Sequence, residues 1–281
     1  MFTVTLRLGF VGVGRWSRKL AESFRACGAE IVAHDRRSGT IFDDGCPPCL
    51  GGQPHLPDWM HDCEKAGFGK RMPWRDQLAD KSIDAIVAVA PPEITTQVAL
   101  ACAAAGKAVM ATKPLFDHPE RITAPFYVDF WRLWSEAHQR AKSSGDGARL
   151  DLSGAGPFRD FPGAYDYGPH VMAAMLDRGG LFRVGCRYPS ERGEMFGAQF
   201  ELPDGQLVAG SFGNGGTVGV RNIWGETETP NHIGTEPKEA IMQKFCRSFM
   251  ADVSEGFVST TLLGYSREGM RMLEEIRRVA Q

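Results

Sequence analysis

Residues 6–37 read LRLGFVGVGRWSRKLAESFRACGAEIVAHDRR, and a change of hydrophobic period inside this stretch decides the fold. Leu6 to Val11 is an apolar run of strand length that ends at Gly12-Val13-Gly14-Arg15-Trp16-Ser17. Trp16, Leu20, Phe24 and Cys27 then recur at helical spacing until Gly28, a residue suited to follow a helix end. Glu30 to Ala33 is a second short strand, leading into His34-Asp35-Arg36-Arg37. Strand, glycine turn, helix and strand in this order make a βαβ unit that presents a helix N-terminus to a pyrophosphate. Gly12 permits the tight turn and Gly14 lets the backbone approach a phosphate. Ser17 takes the third position, where glycine or alanine is usual. A glycine turn with only a structural duty is the alternative reading, but the acid eighteen residues past Ser17 belongs to the dinucleotide pattern.

That acid, Asp35, is placed to accept hydrogen bonds from an adenosine ribose, which favours NAD. Arg36 and Arg37 are either two solvated loop arginines or a grip on a 2′-phosphate, which favours NADP. The choice between NAD and NADP stays open, with Asp35 tilting it towards NAD.

Outward from this unit, Ser38 to Gly69 has little periodicity and holds Cys46-Pro-Pro-Cys49, His55, His61 and Cys63. These are a zinc set, a redox pair or a plain loop; the second half lacks paired ligand spacing, and no metal is expected. Ile83 to Ala90 is a near-continuous apolar run, as in a strand buried on both faces, and Pro91-Pro92 ends it. A helix is expected from about Ile94 to Ala105, then a strand Ala108 to Ala111 that runs into Thr112-Lys113-Pro114. The expected cofactor contacts are therefore Gly12, Gly14, Arg15, Trp16, Asp35 and Arg36, with Ala90 and Pro91 at the end of a later strand.

From about Arg121 the pattern changes, so residues 1–120 are read as a Rossmann domain and 121–281 as an α+β domain. Trp131 to Lys142 is a helix candidate, Arg149 to Leu152 a strand, and Gly168 to Arg178 a helix closed by Gly179-Gly180. Alternating runs at Leu181 to Tyr188, Met195 to Leu202, Gln206 to Phe212 and Thr217 to Trp224 predict a mostly antiparallel open sheet. Pro203-Asp204-Gly205 is a hairpin turn. Asp166 and His170, four apart, fall on one face where the chain is helical. They form either a structural N-terminal pair or a proton-transfer pair, the carboxylate orienting the imidazole. Trp131 and Trp134 pack a helix or line a pocket with Arg132, Arg159 and Tyr167; Arg159 either binds an anionic substrate or is solvated.

Composition narrows the classes. Over 281 residues, 43% are hydrophobic and 23% charged, which is globular, and a net charge of −2 gives no basic surface for nucleic acid. No apolar run reaches membrane-spanning length, and the first residues lack a signal-peptide pattern, so no membrane association and a cytoplasmic location are expected. Seven scattered cysteines suit reduced thiols.

With these motifs in hand, the chain resembles the Gfo/Idh/MocA dehydrogenases. IDAIVAVAPPEITTQVALACAAAGKAVMATKPL, residues 83–115, is similar to their strand, proline turn, helix and Glu-Lys-Pro block. Gly163-Ala-Tyr-Asp166-Tyr-Gly168-Pro-His170 matches their Asp-x-Gly-x-His motif. Val220 to Glu226 looks like their late strand-turn, and Lys238 to Gly256 and Ser266 to Val279 like their closing helices. The resemblance implies that Lys113, Asp166 and His170 converge on a nicotinamide and a substrate carbon, and that Pro114 is a candidate cis proline. Thr112 stands in place of the family glutamate, Thr95 of a histidine and Ala173 of an acid. It further implies NAD(P)-dependent oxidation of a small carbinol such as a sugar or cyclitol, in a homodimer or homotetramer. Imine reduction with the same three residues, or a non-catalytic dinucleotide sensor, are the alternatives.

Overall fold

The computed structural model describes residues 5–36, 63–115, 122–143, 151–156, 163–190, 193–205, 207–214, 219–224, 227–229 and 236–279. The chain divides into two compact units: Met1–Thr112 with Pro119–Tyr127 and Cys246–Ser259, and Lys113–His118 with Val128–Phe245 and Thr260–Gln281.

In the first unit, β1 (Arg7–Val11), α1 (Arg15–Ala26) and β2 (Glu30–Asp35) are the predicted βαβ. After a π-helical turn at Glu64–Phe68 come β3 (Lys70–Arg71), α2 (Trp74–Ala79), β4 (Ala85–Ala88), α3 (Pro92–Ala105), β5 (Ala108–Ala111) and β6 (Phe126–Val128). The strands lie in the order β3-β2-β1-β4-β5-β6, and β1 runs parallel to both β2 and β4. The order reverses between β1 and β4, and a doubly wound sheet opens its ligand crevice at the carboxyl ends of such a pair. β4 and β5 are buried at every residue, which is why their sequences do not alternate. On α1, Leu20 and Phe24 are fully buried; the Phe24 ring meets Phe10 and Phe249 edge to face at 6.4 and 6.1 Å.

Polar side chains fix the short helix α2 to this sheet. Gln77 is fully buried, its Nε2 donating to the carbonyls of Met72 at 2.8 Å and Phe10 at 3.3 Å. Its Oε1 occupies the space a side chain at Gly9 would need, 2.3 Å from an ideal Cβ there. Lys107 Nζ donates to the carbonyls of Asp80, Ile83 and Gln77 at 2.7, 2.9 and 3.3 Å, closing the far end of α2.

The second unit holds a 3-10 helix at Trp131–Trp134, α4 (Glu136–Ser143), β7 (Asp151–Gly156) and α5 (Gly163–Asp177). β8 (Leu181–Ser190), β9 (Gly193–Glu201), β10 (Leu207–Asn214), β11 (Gly219–Trp224) and β12 (Thr227–Thr229) follow. Of α6 (Lys238–Glu255), the residues to Phe245 belong here; α7 (Thr261–Val279) ends the fold. The sheet order is β12-β11-β7-β10-β9-β8, with β7 and β10 parallel beside antiparallel pairs. This is the expected mostly antiparallel open sheet, and the β9–β10 turn closes through Gly205 at φ +83° with its N–H on Leu202.

Two helices differ from the sequence expectation. The single helix read over 131–142 is two pieces, because Ser135 is extended at ψ 144° and its Oγ accepts the His138 N–H at 3.2 Å, capping α4. α5 begins at Gly163 rather than near Gly168 and carries Pro169 inside it. Proline removes one helical hydrogen bond, and here the packing of α5 on α7 and on β7, β9 and β10 outweighs that loss.

α4, α5 and α7 are tied at one carboxylate. Asp177 Oδ2 meets His138 Nε2 at 2.8 Å, and Oδ1 accepts from Tyr265 at 2.9 Å and Lys142 at 3.0 Å. Burial opposes the charge, but hydrogen bonds from His138, Lys142 and Tyr265 outweigh it and hold Asp177 at about 2, against 3.8 ordinarily. A carboxylate depressed by folding contributes stability above its unfolded pKa and loses it as pH falls through its folded pKa. Asp177→Asn is therefore expected to cost about 2 kcal/mol at pH 7, measured by urea denaturation. The gap to the parent chain is expected to shrink as pH falls from 3.8 towards 2; a gap independent of pH would remove the charge from the account.

Candidate functional site

In the first unit the site is built on the turn after β1. Gly12 has φ +86°, and an ideal Cβ at this position would lie 2.0 Å from the Val89 carbonyl oxygen. Only glycine fits. The Gly12 N–H donates to Asp35 O at 2.9 Å and the Val89 N–H to Val11 O at 2.7 Å, so the turn is seated between the ends of β2 and β4. Gly14 is different. Its backbone is extended (φ −150°, ψ −172°) and an added Cβ would meet nothing within 4 Å. The fold does not require glycine there; the open space in front of it fits the close approach of a phosphate to backbone N–H groups. No acidic side chain stands in the first turn of α1, so the positive end of its dipole is not neutralised from within the helix.

Ser17, the departure from the glycine pattern, is fully buried and completes the turn itself: its Oγ donates to Gly12 O at 2.9 Å and accepts the Gly14 N–H at 3.1 Å. Across the switch point, Ala90 is held by Thr95, whose Oγ1 donates to Ala90 O at 2.9 Å and accepts its N–H at 3.2 Å. Thr95, where the resemblance places a histidine, thus shapes the β4 end. Pro91 is exposed, as is Arg15, while Trp16 is half-buried.

Asp35 ends β2 half-buried, and its Oδ2 accepts the N–H of Trp74, the first residue of α2, at 2.8 Å. Beside it, an Arg36 Nη1 lies 3.9 Å from Cys63 Sγ, and Arg71 Nη2 donates to the Arg36 carbonyl at 3.0 Å. Arg37, Cys46, Cys49, His55 and His61 lie outside the described residues. Among the described residues no group of three His, Cys, Asp or Glu side chains is placed to hold a metal ion.

The other predicted residues belong to the second unit. Lys113 is half-buried, two residues beyond the end of β5, and its bond to Pro114 is cis, as expected. Thr112 Oγ1, at the family glutamate position, donates to the Ala88 carbonyl at 3.3 Å. α5 carries Asp166, Tyr167 and His170, the first and last one helical turn apart. Arg159 lies outside the described residues, as do the side chains of Asp166 and Tyr167. His170 is half-buried with its Nδ1 buried, and its ring meets Phe130 edge to face at 6.0 Å. Phe130 thus links the α5 histidine to the segment that follows β6. On that segment Asp129 is 1% exposed, and the Arg132 guanidinium lies over the Trp131 ring at 5.3 Å. Trp131 is core, not pocket lining. Sequence reasoning missed Phe130, Asp129 and the Trp74 amide; none belongs to a spacing motif.

The fold is shared across the whole chain with solved sugar and cyclitol dehydrogenases. Scyllo-inositol dehydrogenase from Lactobacillus casei, solved with NAD(H) and scyllo-inositol, superposes with a TM-score of 0.70 at 14% identity, covering 99% of this chain and 97% of that one. Levoglucosan dehydrogenase with NADH and levoglucosan gives 0.72 at 11% identity, covering 99% and 97%. UDP-N-acetylglucosamine 3-dehydrogenase from Acidithiobacillus ferrooxidans gives 0.72 at 15%, covering 99% and 98%. No family model matches the sequence, and no curated protein does. No helix among the described residues is long and apolar enough to cross a membrane.

The two glycines make opposite predictions for stability. Gly12→Ala is expected to lower the melting temperature by several degrees, since the carbonyl 2.0 Å from the new methyl must move. Gly14→Ala is expected to leave it within about a degree. Thermal denaturation by circular dichroism compares them; an equal loss in both would make Gly14 a structural glycine.

Proposed function

We propose that this chain is an NAD(P)-dependent oxidoreductase of the Gfo/Idh/MocA type acting on a small carbinol or carbonyl substrate, sugar- or cyclitol-like. The observation that carries this reading is the glycine turn: Gly12 locked by the Val89 carbonyl, and Gly14 glycine with open space before it. The fold shared with dehydrogenases solved with NAD(H) and NADH supports it.

In this reading Gly14, Arg15 and Trp16 at the head of α1 take the pyrophosphate, Asp35 the adenosine ribose, and Ala90 and Pro91 the wall opposite. The bound cofactor supplies or accepts the hydride. The chain supplies the proton and the charge. His170 is the acid/base that moves the proton of the substrate hydroxyl. Asp166, one turn earlier on α5, orients the imidazole, and Lys113 stabilises negative charge on the substrate oxygen. Arg132, Arg159 and Tyr167 are assigned to substrate contacts.

General acid–base catalysis contributes about 10² to 10⁴ in rate. His170→Ala is expected to lower kcat by about that factor and leave the NADH dissociation constant unchanged, whereas Gly14→Ala weakens NADH binding about tenfold or more. Sugars, cyclitols and cyclic imines assayed against NAD(H) and NADP(H) consumption test both the substrate class and the residue. Full turnover in His170→Ala would reassign the proton.

We also propose a homo-oligomer formed through the second sheet. Gly185 faces Ile276 of α7, so Val184 points the other way, and Leu181, Val184 and Leu207 are 62, 54 and 54% exposed on that outer side. Leu207→Glu is expected to shift the chain towards monomer in sedimentation velocity; a parent chain already monomeric at high concentration would end this part of the reading.

A further inference from the structure

We propose that Tyr165 is a positioning residue for the acid/base of α5: its hydroxyl, held between Glu274 and Arg277 of α7, fixes the first turn of the helix that carries Asp166 and His170. The inference rests on the reading of His170 given above and extends it to a residue outside the Asp-x-Gly-x-His motif.

α5 is poorly equipped to hold its own first turn. Gly163 at its start has low helix propensity, and Pro169 has no N–H for the carbonyl four residues back, which is that of Tyr165. The side chain of Tyr165 supplies the anchor instead. It is 5% exposed; its hydroxyl donates to Glu274 Oε1 and accepts from Arg277 Nη1 at 2.5 Å, so donor and acceptor are both engaged. The Arg277 guanidinium also lies over the Tyr165 ring at 5.1 Å and pairs with Glu274 at 4.0 Å.

The rest of the helix pair shows why this anchor matters. α5 and α7 run antiparallel. An ideal Cβ at Gly168 would come within 2.6 Å of Leu273 Cδ2, one at Gly269 within 3.0 Å of Met172 Cβ, and Tyr265 reaches Asp177 at the far end at 2.9 Å. Tyr165, Gly168 and Met172, three and four apart, thus share the face towards α7. His170, two residues past Gly168, lies on another face, with its ring on Phe130. Glycine at the closest approach lets the backbones meet but offers no side chain to resist rotation of the helix start. Tyr165 resists it. A rotation there would carry Asp166, the next residue, while His170 beyond Pro169 stays packed on Phe130, so the hydroxyl fixes the relation between the two.

Tyr165→Phe keeps the ring and removes both hydrogen bonds. Two measurements on the full chain read the consequence. One is the NMR titration of the His170 imidazole, its signal identified by its loss in His170→Ala. The other is kcat with NAD(H) on the substrate found among the sugars, cyclitols and cyclic imines above. In Tyr165→Phe the imidazole is expected to titrate at lower pH than in the parent, because a carboxylate held beside it favours the charged form. Turnover is expected to fall about tenfold with the NADH dissociation constant unchanged, within the roughly 10²-fold that a misplacement of about 1 Å can cost. Tyr265→Phe loosens the same helix pair at its other end, and is expected to lower the melting temperature while leaving the imidazole and kcat as in the parent. Tyr165→Phe added to His170→Ala is expected to change kcat no further. An imidazole and a kcat unchanged in Tyr165→Phe, or changed equally in Tyr265→Phe, overturn the positioning role, as does a further tenfold loss in the double variant. Parent turnover that survives His170→Ala sinks the acid/base reading instead, and the imidazole titration still decides whether Tyr165 governs the pair. The Glu274 side chain is 45% exposed, so Glu274→Ala gives the same test, with the same expected results, should Tyr165→Phe not fold.

Discussion

The Val89 carbonyl passes so near Gly12 that no side chain can stand between them, and the first unit is organised around that approach. Because the turn after β1 lies against the end of β4, α1 starts at the switch point of the sheet and not above it. The Gly12 N–H reaches Asp35, which brings the end of β2 to the same place. Three strand ends and one helix start are thereby gathered within a few ångströms. Gly69, whose Cβ would meet the Val32 carbonyl carbon at 2.2 Å, makes a second such approach at the entry to β3.

Around this point the fold uses side-chain polar atoms to satisfy backbone groups that helices and strands leave over. Ser17 closes the β1 turn, Thr95 the β4 turn, and Lys107 gathers three carbonyls after α2. Buried backbone groups without partners are costly, and Ser17 and Thr95 remove that cost at the crevice wall without adding charge to it, while Lys107 does so at the opposite ends of the strands. Lys107 is the exception in carrying charge; burial draws its pKa down, with Cys102, Asp80 and Asp84 opposing. In the second unit Asp177 has the equivalent duty, joining three helices through side chains instead of backbone.

Much of the fold is legible in the sequence because its strands and helices differ in period. The βαβ stretch and the buried runs of β4 and β5 are read without ambiguity, as are the antiparallel strands around Pro203-Asp204-Gly205. The helix at 131–142 is not, because Trp131, Trp134 and His138 keep helical spacing across an extended Ser135, whose capping bond is a tertiary detail. The early start of α5 is hidden by Gly163, Gly168 and Pro169, residues of poor helix propensity that packing overrides. Of the proposed site, the residues that belong to a motif (Gly12, Gly14, Lys113, His170) are visible in the sequence. Trp74 is not, since it acts through a backbone amide any residue possesses, and Phe130 meets His170 from forty positions away.

The Gly9–Gln77 contact carries a consequence for how this sequence can drift. A methyl at position 9 would overlap the Gln77 Oε1, while a shorter residue at 77 would release the Phe10 and Met72 carbonyls together. Each step carries a cost that a change at the other position can relieve, so the two positions form an epistatic pair whose range paired changes uncover better than single ones.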